Sequence, residues 1–329
     1  MWVDLLRGFL ILSVILGHCF QYGDYDESMV WNGIYSFHMA AFFMLSGWVA
    51  WREGGYRFGV GRRAMALLLP FAVWSVVILL LDIKGASWER VWGFVAYPDT
   101  SFWFLPVLFV IGFLFGALLK FAPRMHISEQ IATSGGVIAL FLLMLMFDFR
   151  MFGFQFVAYY MFFYCAGYWI HRMGLEPGWG WTCVAGILWV VTAYFWRMHE
   201  VPRPLEGITV VPGSVLTYGY RLFAATVGSV FFLNLFRLVF GGRDVKVLRF
   251  AGMVSLELYV VHLAFGTQLR QLAEGVAESG GLIVTNITDF ILRTVICMSF
   301  IVLASRSAMV KAMLFGKVQS KGHGSNGNA

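Results

Sequence analysis

Arg7 and His18 are the two residues of the opening stretch MWVDLLRGFLILSVILGHCFQ whose types and spacing point to chemistry. The stretch is otherwise apolar. The two are eleven positions apart, close to three turns at about 100° per residue, so a helix presents both on one face, about 16 Å apart along its axis. Charged and titratable groups at such depth in a membrane helix are costly and face a cavity or a partner. His18 has the chemistry of a general base, since imidazole titrates near neutrality. Arg7 offers a guanidinium to a phosphate or carboxylate. It could equally snorkel to the membrane surface or pair locally with Asp4 at i, i+3.

Other groups could join them. His38, in FHMAAFFMLSGW, reaches a depth within about a turn of His18 if the first two spans form an antiparallel hairpin. It could then assist or orient His18. In the same segment Ser46 and Gly47 read as residues that let helices approach closely. Arg62 and Arg63 lie in the basic, glycine-rich stretch GGYRFGVGRRAMALLLP. That stretch could hold a phosphate-bearing substrate or serve as a topology signal at lipid headgroups, and its glycines do not follow a phosphate-loop spacing. Trp103 and Pro106 open the segment SFWFLPVLF, and SLELYVVHLAF carries Glu257 and His262 about 140° apart, on different faces. Arg293 is expected about twelve residues deep in the last span, which calls for a partner or a wet cavity, and Arg221 makes the same point more weakly.

The elements that position these groups follow from composition. The 329 residues are 60% hydrophobic and 13% charged, with mean hydropathy +0.74, against about 25% charge in a soluble domain. The reading is an all-α polytopic membrane protein of about ten spans, at 2–21, 31–51, 64–82, 102–120, 131–147, 151–170, 179–196, 214–237, 250–269 and 281–304. The first is read as a retained span, because no basic region precedes it and no small-residue cleavage site follows. Counting basic residues in alternate loops gives fourteen on the side of the N-terminus and six on the other, which places both termini in the cytoplasm. The net charge of +6 is therefore a topology signal and implies no nucleic-acid partner. The four cysteines lie in apolar runs without close pairs, so neither a disulfide framework nor a metal site is expected. Residues 1–305 are read as one membrane domain and 306–329 as a basic, disordered cytoplasmic tail. The stretch 197–213, with three prolines, could cap an opening on the outer side.

The ordered series DLLRG and GH in the first span, FHMAAFFMLSGW, RR with LLLPFAVWS, FWFLPVLF and SLELYVVH resembles the acyltransferase type 3 family of membrane-bound acyltransferases. It is most similar to the branch of bacterial sugar O-acetyltransferases and fucose O-acetylase-like proteins. The resemblance covers nearly the whole chain, with residues 131–200 matching in hydropathy alone. It implies transfer of an acyl group, usually acetyl, from cytoplasmic acyl-CoA to an acceptor beyond the membrane. The family's first-span arginine and histidine fall on Arg7 and His18, its second-span histidine on His38, and its late YxxH motif on Tyr259 and His262. The second of its two arginines before the third-span proline is replaced here by Ala66, with Arg62 available as a substitute.

The chemical expectation is direct attack of a saccharide hydroxyl on the thioester in a ternary complex, with His18 as base and His38 as helper, or else an acyl-enzyme on His18. Arg7, Asp4, Arg62, Arg63, Trp103, Arg293 and His262 are the candidate substrate-binding residues. No bound cofactor is expected beyond acyl-CoA as a donor substrate. The expected setting is a bacterial inner membrane, among lipids and with polysaccharide-assembly proteins as partners. A transporter or flippase for a lipid-linked or anionic sugar is the alternative. Against it stand the lack of repeat symmetry and the expected absence of a broken-helix pair.

Overall fold

The computed structural model describes residues 1–21, 28–56, 58–81, 87–97, 102–147, 151–207, 215–277 and 280–317. Helix α1 (Trp2–Cys19) is followed by α2 (Met29–Tyr35) and α3 (His38–Ala50), which return antiparallel to it. A two-stranded hairpin, β1 (Trp51–Arg52) and β2 (Gly55–Tyr56), pairs Trp51 with Tyr56 and Arg52 with Gly55. Then come α4 (Val60–Leu81), α5 (Trp88–Ala96), α6 (Phe104–Phe121), α7 (Glu129–Met146), α8 (Phe154–Arg172), α9 (Trp179–Tyr194) and α10 (Val215–Phe240). The chain closes with α11 (Lys246–Met253), α12 (Ser255–Ala264), α13 (Gly266–Val276), α14 (Gly281–Ala304) and α15 (Ala308–Phe315).

The long helices are apolar around most of their circumference, as buried or membrane helices must be, whereas α5, α11 and α13 are amphipathic. Where they start from a polar end, serine caps them: Ser28 accepts from the Trp31 amide, Ser128 from Ile131 and Ser307 from Val310. The α1 window is 56% buried and that of α2–α3 61%, against 11% for α7 and 22% for α4 and α14. The helices bearing the first two candidate histidines therefore form the centre of the bundle, and α4, α7 and α14 its periphery.

Two reciprocal glycine crossings lock this centre. A Cβ on Gly8 would lie 2.0 Å from the Leu248 carbonyl oxygen, and one on Gly252 1.8 Å from that of Asp4, so α1 and α11 touch backbone to backbone. Likewise a Cβ on Gly47 would lie 1.9 Å from the Tyr164 oxygen and one on Gly167 1.8 Å from that of Met44, joining α3 to α8. Such small-residue contacts drive helix association in lipid, where burial of apolar surface supplies little. Gly47 thus packs as its sequence context indicates.

Each expected span overlaps a helix or helix pair. By length and hydropathy, seven helices among the described residues can cross a membrane, or eight if a bent pair counts as one span. The measure does not reach ten. The 16-residue α9 is short for a crossing, and α8 carries many tyrosines and other polar residues. The expected span 250–269 is a correction. It is broken at Met253–Val254, where α11 and α12 meet at 74°, so the expected absence of a broken helix pair does not hold. The segment expected to be disordered from 306 also differs, since 308–315 form α15 and Phe315 is fully buried. Residues 318–329 and 208–213 lie outside the described residues.

Candidate active site

Because α1 is one unbroken helix, the eleven-residue interval between Arg7 and His18 holds. The two residues sit in different surroundings. His18 lines a cavity of about 800 Å³, which also takes in Gln21, Tyr35, His38, Trp103, Gln155, Tyr160 and Tyr259. This volume falls within the range of small-ligand sites.

His18 and His38 line it, His262 lies beside His18 outside the lining, and the hydrogen bonds of the three settle their tautomers. His38 Nδ1 donates to the Ile34 carbonyl at 2.7 Å and His262 Nδ1 to that of Leu258 at 2.7 Å. A carbonyl only accepts, so both rings carry hydrogen on Nδ1 and leave a lone pair on Nε2. His18 Nδ1 lies 3.1 Å from the Gln21 side-chain oxygen, which gives it the same tautomer. The His18 and His262 rings are 5.4 Å apart. His262 is fully buried, and its Nε2 has no hydrogen-bond partner among the described residues. His38 lies on the cavity wall with its ring edge-on to Tyr35, 4.8 Å away. Sequence reasoning placed Glu257 and His262 on separate faces of their span. The structure agrees in outcome, since His262 turns to α1 while Glu257 pairs elsewhere, with Lys317.

The wall opposite is aromatic. Trp103 stacks on Phe156 (4.4 Å) and Tyr160 (5.4 Å), and the Tyr259 hydroxyl accepts from the Phe104 amide at 3.4 Å. Trp196, Met198 and His199 contribute from the segment after α9. Arg221 of α10 holds that segment by donating to the carbonyls of Arg197 (3.1 Å), Met198 (2.6 Å) and Glu200 (3.0 Å). Backbone carbonyls at the rim of the cavity are thus among its partners.

The cations of the first motif gather at the other end of α1. Arg7 is half-buried and lies 3.4 Å from Asp4. Arg63 is close enough to act on Arg7 as a like charge and sits over the Phe58 ring at 5.8 Å, while Arg62 is exposed. Ala66, where the resembling family has a second arginine, packs against Gly316. Arg7, Arg62 and Arg63 are not part of the lining of the histidine cavity. A second cavity of about 750 Å³ lies at this end, lined by Trp51, Tyr56, Phe58, Lys120 and Arg172 among others. Burial pushes the Tyr56 phenol, in the hairpin, far above its ordinary range, and the hydroxyl donates to the Gly112 carbonyl at 2.6 Å.

Arg293 lies in a buried ionic cluster behind His18, away from the cavity lining. Its Nε and one terminal nitrogen bind Asp289 at 2.6 and 2.9 Å, and Arg270 lies 3.8 Å from the same carboxylate. Arg270 also binds Asn286 (2.7 Å) and Glu274 (2.8 Å), and the Cys19 thiol lies near Asp289. Sequence reasoning missed Asp289, although its position four residues before Arg293 was the available signal. It also missed Gln21, three residues after His18. Among the described residues no group of side chains is arranged to hold a metal ion.

A family described as an acyltransferase domain matches residues 1–306. The Nodulation protein NolL of Mesorhizobium japonicum is 39% identical over 87 residues, which cover 24% of this chain and 23% of the relative. The Nodulation protein NolL of Sinorhizobium fredii is 38% identical over 85 residues, covering 23% of each. The chain thus spans about a quarter of the length of these curated relatives. No solved structure matches it.

Proposed function

The chain belongs to the acyltransferase-domain family, and from that premise we propose that it transfers an acyl group, acetyl in the simplest case, from acyl-CoA to a hydroxyl of a cell-surface or exported saccharide. The end of the bundle bearing Arg7, Arg62 and Arg63 is assigned to the cytoplasm of a bacterial inner membrane, on the strength of the loop charges. Those guanidiniums would meet the phosphates of the donor, and the neighbouring aromatic and basic cavity would receive its nucleotide. The acceptor would enter the histidine cavity from the opposite end, where Trp103 and the tyrosines offer flat apolar faces and Gln21, Gln155 and Ser36 offer polar contacts to a sugar ring.

In the reaction the acceptor oxygen attacks the thioester carbonyl, an ester C–O bond forms and the C–S bond breaks. His18 Nε2 takes the hydroxyl proton and returns it to the departing thiolate. The observation that carries this reading is the placement of His18 between the cavity and the unpartnered Nε2 of His262. The neutral His262 ring, 5.4 Å from that of His18, would favour the imidazolium that His18 becomes over the neutral imidazole, which stabilises the transition state relative to the ground state. His38 is assigned to orient the acceptor, because it lies on the wall of the cavity.

The test is transfer from radiolabelled acetyl-CoA to the saccharide fraction of membranes. His18→Ala should abolish transfer while the protein still inserts. His262→Ala should lower kcat about 100-fold, in the range general acid–base groups supply, and His38→Ala should act mainly on the acceptor KM. Undiminished transfer by His18→Ala removes the mechanism. The bent α11–α12 pair is a feature that a transporter would share. Sugar uptake into vesicles without ester formation would move the assignment there.

A further inference from the structure

Helix α12 carries two residues of the candidate site, Tyr259 and His262, and begins directly after the 74° bend. A helix that turns so sharply needs something to fix the angle, because its first amides and the last carbonyls of α11 are left without a continuous hydrogen-bond ladder. Glu257 sits in the first turn of α12 and is 1% exposed. Burying a carboxylate at that depth is costly unless a cation meets it. The partner comes from the far end of the sequence. Lys317 forms an ion pair with one Glu257 oxygen and donates to the Met253 carbonyl at 3.3 Å, on the last residue of α11. The other Glu257 oxygen is buried without a hydrogen-bond partner among the described residues, so Lys317 carries the neutralisation.

Lys317 is itself held in place. Ser307 caps α15, and Trp74 Nε1 of α4 donates to the Leu314 carbonyl at 2.9 Å. Phe315 is fully buried and stacks on Trp74 at 6.3 Å. Gly316 turns the chain at φ +63, where a Cβ would lie 1.9 Å from the Met65 carbonyl oxygen. Both the positive φ and the close approach require glycine. The turn delivers Lys317 to the bend from a fixed direction.

We propose that the Glu257–Lys317 ion pair is a clasp by which the C-terminal helix sets the α11–α12 bend and so positions Tyr259 and His262 beside His18. Both residues of the pair are positioning residues, since neither lines the cavity. A single lysine at once neutralises the acid on one arm of the bend and binds the carbonyl that ends the other. The functional half of the inference rests on the proposed role of the His18–His262 pair, and the structural half does not.

A double-mutant cycle on the full-length protein tests it, with acetyl-CoA as donor, native membranes as the source of acceptor, and hydrogen–deuterium exchange of residues 255–262 as a second readout. Lys317→Ala should lower kcat about tenfold, leave the KM for acetyl-CoA within twofold, and speed exchange at the start of α12. Lys317→Arg should retain most activity. Glu257→Gln removes the buried charge, so Lys317→Ala should do little further harm in that background. Full activity with unchanged exchange in Lys317→Ala overturns the proposal. So does a loss from Lys317→Ala that is equally large with Glu257 intact and in the Glu257→Gln background. Faster exchange in Lys317→Ala together with full activity of His18→Ala would keep the clasp and discard the catalytic reading.

Discussion

Replacing Asp289 with alanine should destabilise the protein more than most single changes. Asp289 is fully buried and Arg293 is 2% exposed. The carboxylate binds two nitrogens of Arg293 at 2.6 and 2.9 Å and lies 3.8 Å from Arg270. Removing it takes from Arg293 the carboxylate that binds two of its nitrogens, and from Arg270 a nearby negative charge. Breaking a buried pair from one side costs about 3–5 kcal/mol, because a charge is left uncompensated. Arg270 keeps Glu274 and Asn286, so the loss is chiefly that of Arg293. For a chain of this size a few kcal/mol corresponds to a fall in Tm of roughly 10 °C. The assay is thermal unfolding of the detergent-solubilised protein. The control is Asp289→Ala with Arg293→Met, which removes both charges and should recover at least half the loss, as swapping a buried pair for apolar side chains commonly does. A fall of under about 2 °C in the single variant, or a double variant as unstable as the single, would refute the reasoning.

Two further outcomes rest on geometry. Gly252→Ala places a methyl 1.8 Å from the Asp4 carbonyl oxygen, so α1 and α11 must part by roughly an ångström. A displacement of that size near reacting groups can cost about 100-fold in rate, and acetyl transfer by Gly252→Ala should fall by roughly 10- to 100-fold with insertion intact. Arg221→Ala frees the 197–200 segment from three hydrogen bonds at the rim. It should raise the acceptor KM several-fold, speed proteolysis at that segment and leave the KM for acetyl-CoA unchanged.

The helices and their order were legible in the sequence because lipid leaves few options: apolar windows of about 20 residues must be helices. The candidate histidines were legible for the same reason, as costly groups in an apolar setting. What the sequence hid was pairing across the fold. Arg293 called for a partner, but periodicity alone did not say whether that partner was a phosphate or Asp289. His262 is in phase with Tyr259 on its own span, but only the packing of α12 against α1 brings it to His18. The bend at Val254 has no proline and is flanked only by Gly252 and Ser255, so hydropathy reads straight through it. Lys317 looked like one more basic residue of a polar tail, because the acid it serves is sixty residues away.

The two glycine contacts have a consequence for how this protein tolerates its surroundings. Where backbones meet directly, the distance between helices is set by peptide groups, whose size never varies. The outer helices α4, α7 and α14 can then exchange one apolar side chain for another to suit thicker or thinner bilayers, while the imidazoles keep their spacing. Drift should therefore be tolerated at the lipid-facing perimeter and resisted at Gly8, Gly47, Gly167 and Gly252, four positions that take no part in the reaction.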